Sequence, residues 1–254
     1  MPNTPLLRKL ESYYRSESIY SLDFNCPHFY DCSQGCASFT EAKSAFVSSG
    51  YELHDYPRIL ILSADPGSGW SDPNQRTPEY VRYHEEEIYR LDEGRTNQHW
   101  YQTHNLVYQL LKPFKLDIEI GDAKHFFAHV NSAKCSINNP QRSQAGDILF
   151  RNCYKYAKGE VQVLEPDVLI SQGDKAKKSV AALFKEIPFP DNFLAQEIEI
   201  PKEARVIQSK GKMILWLQLY HPNQRQSFYY KKNLPRIPIY QSLIQFFISN
   251  FSGK

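Results

Sequence analysis

The most distinctive chemistry in this 254-residue chain belongs to five cysteines. Cys26, Cys32 and Cys36 fall within eleven residues, and Cys135 and Cys153 stand 18 apart further along. Thiolates are soft ligands, suited to iron–sulfur clusters or zinc. The competing reading is five buried free thiols, since cysteine packs as a small hydrophobe. Three cysteines so close together favour a metal. An odd count with no secretory leader argues against a disulfide scaffold.

A second set of residues could do acid–base or polar recognition chemistry. Asp65, Asn131 and His221 each follow a short apolar run: Arg58–Ser63, His125–Asn131 and Lys212–Tyr220. A fourth run, Asp167–Gln172, ends at Gly173. If the strands are neighbours, these polar groups converge on one crevice. Taken singly, Asp-Pro-Gly and His-Pro-Asn are also ordinary turn sequences. Three such groups at three strand ends favour a site.

The elements that must position these groups follow from the pattern. The four apolar runs do not alternate, which is the mark of strands buried on both faces. Helical periodicity separates them over Gln98–Leu111, Asp147–Leu164, Asp174–Phe184 and Ile239–Phe251, with a further helix near Pro5–Ser16. Asp174 is placed to cap its helix. This predicts an α/β fold: a single domain, residues 1–254, with a central, mostly parallel four-stranded sheet and helices on both faces. Ligands of such sheets bind beyond the carboxyl ends of the strands. Residues 20–40 form an N-terminal cysteine segment. Residues 68–97 are polar and read as an insertion or lid, with His84-Glu85-Glu86-Glu87 as a solvated face. Glu197–Ile200 is an edge-strand candidate.

Composition narrows the classes. A 41% hydrophobic fraction excludes global disorder. No run approaches 18 apolar residues, so a membrane partner is not expected. The N-terminus lacks an apolar leader segment, which points to the cytoplasm. The net charge of +2 requires any nucleic-acid surface to be local. No phosphate-binding glycine motif is present.

In combination, these residues resemble the uracil-DNA glycosylase superfamily, in particular its iron–sulfur branch, families four and five. The first motif is similar to Ser63-Ala64-Asp65-Pro66-Gly67. The branch's Asn, then Lys-Cys, then a second helical Cys, corresponds to Asn131-Ser132-Ala133-Lys134-Cys135 and Cys153. Its Leu-x-Pro-x-Val-Ile segment resembles Leu164–Gly173, and its His-Pro-Ser motif resembles His221-Pro222-Asn223. The order matches over roughly Cys26 to Arg225. The sequence departs at Ser63 for the first glycine, at Ala64 where the branch usually has Glu, and at Asn223 for Ser. The segment that stacks on uracil is absent, and Cys26-x5-Cys32-x3-Cys36 stands where the branch has Cys-x-x-Cys.

The resemblance implies hydrolysis of the N-glycosidic bond of a flipped-out uracil or modified pyrimidine, including a bulky modified cytosine in foreign DNA. It implies Asp65 and His221 as catalytic, with Asn131, Ala64, Pro66 and Gly67 around the base and water. Asn223, Gln224 and Arg225 would enter the DNA. A four-iron four-sulfur cluster, with zinc as the alternative, would be held by Cys135, Cys153 and two of Cys26, Cys32 and Cys36. DNA is the expected partner and a monomer the expected state. Lys134, Arg142, Lys175, Arg225, Lys231, Lys232 and Arg236 are candidates for the DNA backbone; Trp70, Tyr83 and Trp100 are candidates for base stacking. The alternative function is a non-catalytic nucleic-acid-binding protein that keeps this fold.

Overall fold

The computed structural model describes residues 4–34, 39–53, 56–66, 71–91, 98–114, 117–137, 146–194, 198–222 and 232–251. In chain order the elements are α1 (Pro5–Ser16), α2 (Phe29–Ser33), β1 (Phe39–Thr40), β2 (Phe46–Val47), α3 (Ser49–Leu53), β3 (Ile59–Ser63), α4 (Pro78–Tyr83), α5 (His99–Leu111), β4 (Phe127–Asn131), β5 (Ser136–Ile137), α6 (Asp147–Leu164), β6 (Val168–Gln172), α7 (Asp174–Leu183), β7 (Lys185–Ile187), α8 (Asp191–Leu194), β8 (Ala204–Ser209), β9 (Lys212–Leu219) and α9 (Ile237–Phe251).

The fold is α/β, but the sheet is larger and more mixed than expected. It has seven strands in the order β2-β4-β3-β6-β9-β8-β7. The four expected strands form its contiguous parallel centre, β4-β3-β6-β9. Antiparallel neighbours extend it at both sides: β2 on β4, then β8 on β9 and β7 on β8. β2 and β7 are two and three residues long and carry little periodicity, and β8 mixes buried residues with the polar Arg205 and Gln208. The residues actually flanking β9 are these, not Glu197–Ile200, whose described part has no strand pairing. Asp174 begins α7 rather than capping it. Gly173 takes the cap position at φ 88°.

Strand residues alternate between two cores. Leu60, Leu62, Ala128, Val130, Leu169 and Trp216 face α1, α6 and α7. Ile59, Ile61, Phe127, Val168, Ile170, Leu215 and Leu217 face α5 and α9. Both faces are apolar because both are covered, which explains the unbroken runs. α1 starts at Thr4, whose hydroxyl accepts from Leu7 N, with Pro5 in the first turn where its missing N–H costs nothing. α1 rests on α6 at Gly159, where a Cβ would lie 2.1 Å from the Tyr13 ring. This contact holds the N-terminal segment against the helix that carries Cys153.

The described part of the segment read as a lid, residues 71–91, packs onto the body instead. Arg76, Val81, Arg82, Glu85 and Glu86 are buried. Arg82 donates to Val47 O at 2.5 Å and pairs with Glu52, and Glu86 accepts from Ser49 N at 2.7 Å. Two of the three consecutive glutamates are thus interior, and the solvated-face expectation fails there. Paired charges can be buried where apolar counts alone see only polarity.

Candidate active site and cysteine chamber

The site is built by register. Ser63 lies opposite Asn131 across β3 and β4, and Gln172 lies opposite Leu219 across β6 and β9. Counting in twos from Ile59, Phe127 and Val168 puts Ser63, Asn131 and Gln172 on the α5 face of the sheet. The loops beyond carry Ala64 and Asp65 from β3, Ser132 and Ala133 from β4, and His221 from β9. Ser132 N donates to Ser63 O and Ala133 N to Ala64 O, both at 2.9 Å, so the first two loops are stitched together.

Asp65, Asn131 and His221 therefore share one end of the sheet. Asn131 is 5% exposed, and its Oδ1 has no hydrogen-bond partner among the described residues. A buried orphan acceptor is costly, and it marks a place where a donor would be taken up. Burial holds the His221 imidazole below its ordinary pKa, while the Asp65 carboxylate pulls it back up. Ala64 and Pro66 are half-buried beside Asp65. Gly173 fits closely under His221: a Cβ there would lie 2.9 Å from the His221 Cβ.

The structure adds residues that motif reasoning passed over. The His221 ring stacks on His99, the first residue of α5, with centroids 4.7 Å apart and 10° between planes. His99 Nε2 lies 3.0 Å from Gln172 Oε1. Ser63 Oγ donates to the same Oε1 at 3.1 Å, and His129 Nε2 lies 2.9 Å from Ser63 Oγ. Burial pushes His99 and His104 down to about 4, and His129 well below its ordinary value. The signal in the sequence was weak. Ser63 and Gln172 are the last polar residues of two apolar runs, and His99 opens a helix after a polar stretch.

The cysteines converge on the opposite side of β4. Cys26, Cys32, Cys135 and Cys153 line one small, tight cavity, with Phe24, Phe29 and Tyr156 among its walls. Cys26 and Cys32 of the N-terminal trio thus meet the later pair; Cys36 lies outside the described residues. Each of three sulfurs has a donor or partner at hand: Lys134 N to Cys153 Sγ at 3.3 Å, Asn152 Nδ2 to Cys32 Sγ at 3.3 Å, and the Tyr156 hydroxyl 3.4 Å from Cys26 Sγ. Burial raises the Cys135 thiol well above its ordinary value and Cys153 to about 11. A cation in the chamber would reverse that and hold thiolates. Among the described residues no three His, Cys, Asp or Glu side chains are drawn together as one ion would draw them. Four thiols around a common space, with donors to three of the sulfurs, fit a soft thiolate-held centre, iron–sulfur or zinc.

Several expected DNA contacts are engaged elsewhere. Lys134 is 1% exposed and pairs with Glu160 at 2.6 Å, so it serves the core. Lys175 pairs with Asp147 and Arg236 with Glu203. Lys232 is exposed. Trp100 sits among Phe127, His104 and His129 and donates to Glu85 Oε2 at 2.9 Å, so it is a wall of the core. Tyr83 is 41% exposed beside Tyr80. Gly67, Trp70, Arg142, Asn223, Gln224, Arg225 and Lys231 lie outside the described residues. No helix among the described residues is long and apolar enough to cross a membrane.

A scan against protein-family models finds no match to this chain, and a search of curated proteins finds no significant relative.

Proposed function

We propose that this protein is a DNA glycosylase that hydrolyses the N-glycosidic bond of a flipped-out uracil or modified pyrimidine, and that Cys26, Cys32, Cys135 and Cys153 hold a four-iron four-sulfur cluster. The observation that carries this reading is the shared position of a carboxylate, a half-buried imidazole and an orphaned buried amide oxygen at one end of the parallel strands. The ordered motifs shared with the uracil-DNA glycosylase superfamily supply the reaction class.

The base must leave the stack to reach a recess at the strand ends. Asn131 Oδ1 accepts an N–H from its edge, while the Asn131 amide donates to a ring carbonyl. As the C1′–N bond breaks, negative charge builds on the base and positive charge on the sugar. His221 donates a hydrogen bond to the pyrimidine oxygen that gains charge. Asp65 holds the attacking water and offsets the sugar's charge; the water's proton leaves through it as the C1′–O bond forms. The cluster, when bound, supplies attachment between the N-terminal segment and the sheet rather than chemistry at the scissile bond.

The test is abasic-site formation by the iron-loaded protein on oligonucleotides carrying uracil, hydroxymethylcytosine or glucosylated hydroxymethylcytosine. Release of one of these bases, reduced about 10²–10⁴-fold by Asp65→Asn and about 10²–10³-fold by His221→Ala, is expected. DNA binding with no base released would leave a non-catalytic binding protein.

A further inference from the structure

We propose that His99 is the positioning residue for His221, latched in place by Gln172, Ser63 and His129. The assignment rests on the reading that His221 acts at the departing base. The hydrogen bonds fix the direction of the whole chain. Thr103 Oγ1 donates to His99 O at 3.0 Å, so it is free to accept from Gln172 Nε2, which lies 3.1 Å away. That sets the Gln172 amide with Oε1 toward the site. An amide oxygen only accepts, so its two nearest neighbours donate: Ser63 through its hydroxyl at 3.1 Å and His99 through Nε2–H at 3.0 Å, with Thr103 Oγ1 further off at 3.4 Å. Ser63, having given its proton to Gln172, accepts from His129 Nε2–H at 2.9 Å. One donor–acceptor order satisfies every member.

This order has two consequences. His99 is confined to one tautomer and one ring plane, because its Nε2–H is committed to a residue that is itself held from three directions. Its flat face is then presented to His221 at 4.7 Å and 10°. His221 follows β9 in a short loop, with Gly173 beneath its ring and His99 stacked alongside it. The α5 helix thereby sets the orientation of a group that belongs to a loop after β9. Among the described residues, the groups facing His221 include His99 from α5, Gly173 from the β6 end and Asp65 from the β3 loop.

Three variants of the iron-loaded protein test the assignment: His99→Ala, His99→Phe and Gln172→Met. Two quantities are read: the ring-proton shifts and line widths of His221 by NMR, and the single-turnover excision rate on the active oligonucleotide. Circular dichroism and the unfolding midpoint confirm the fold. A displacement of a reacting group by about 1 Å costs about 100-fold. His99→Ala should therefore slow excision by about that factor and move the His221 resonances out of their ring-current position. His99→Phe keeps a flat ring and should recover most of both. Gln172→Met should fall between. An unchanged His221 spectrum in His99→Ala, or a Phe variant as slow as Ala, overturns the assignment. If wild-type protein releases no base, the glycosylase reading fails, and the NMR arm alone still decides whether His99 orders His221.

Discussion

Lys134 offers the sharpest test of how the interior is organised. Its ammonium lies 2.7 and 2.6 Å from the two Glu160 carboxylate oxygens, and the Tyr14 hydroxyl donates to Glu160 Oε1 at 2.6 Å. Tyr14 in turn accepts from Ala45 N at 2.9 Å. Lys134 is 1% exposed and Glu160 fully buried. Replacing Lys134 by Met keeps the stem's packing but leaves Glu160 with one donor inside the protein. Removing one partner of a buried pair costs about 3–5 kcal/mol. With a urea slope of about 2–3 kcal/mol per M, the unfolding midpoint should drop by about 1–2.5 M. The double variant Lys134→Met, Glu160→Gln leaves no charge buried and should regain much of that loss. Urea titrations on anaerobic samples matched in iron content measure both. DNA affinity measured over a salt series supplies the contrasting outcome. A phosphate-contacting lysine would lower the log–log salt slope by about 0.9 on removal; Lys134→Met should leave it unchanged. A normal midpoint with a shallower salt slope would refute the interior assignment and return Lys134 to the DNA surface.

The cysteine chamber predicts that Cys26→Ser, Cys32→Ser, Cys135→Ser and Cys153→Ser each lose iron and the absorbance near ~400 nm, while Cys36→Ser keeps both; iron loss in Cys36→Ser alone would overturn the choice of ligands. Gly173→Ala forces a side chain into φ 88°, ψ 172° and against His221. Such backbone costs about 1–3 kcal/mol, so calorimetry should show Tm falling by roughly 2–12 °C, with slowed excision. His99 and His104 titrate near 4 in the folded protein, below their ordinary value of 6.5. The unfolded chain therefore binds more protons between those values, and stability should fall as pH drops from about 6.5 toward 4. Urea midpoints across that range should show it, and His104→Gln should flatten the acid limb. A flat profile in the unmodified protein would mean that these imidazoles stay hydrated.

The central strands could be read directly because burial on both faces leaves no polar interruptions. Ile59–Ser63 and Val168–Gln172 are unbroken runs of this kind. The helices α1 and α6 were placed to the residue, because each carries a strong apolar stripe between clear ends. The edges were not: β2, β5 and β7 are too short to show a period. Residues 71–91 were misread because Arg76, Arg82, Glu85 and Glu86 are polar yet interior, and their partners lie on other elements. Asp65, Asn131 and His221 were visible as strand-end residues, whereas His99 stands far from them in sequence.

Residue type and order by themselves determined an α/β chain, its parallel centre, and which polar groups and thiols end up at strand ends and helix faces. Those properties follow from local periodicity and from the chemistry of single side chains. Only the tertiary structure decided that Cys26 and Cys32 meet Cys135 and Cys153, that Lys134 belongs to the core, and that His99 stands against His221. Each of those depends on strand register and helix packing that bring distant residues within a few ångströms. No local pattern encodes such a meeting, because its energy arises only once both partners are buried together.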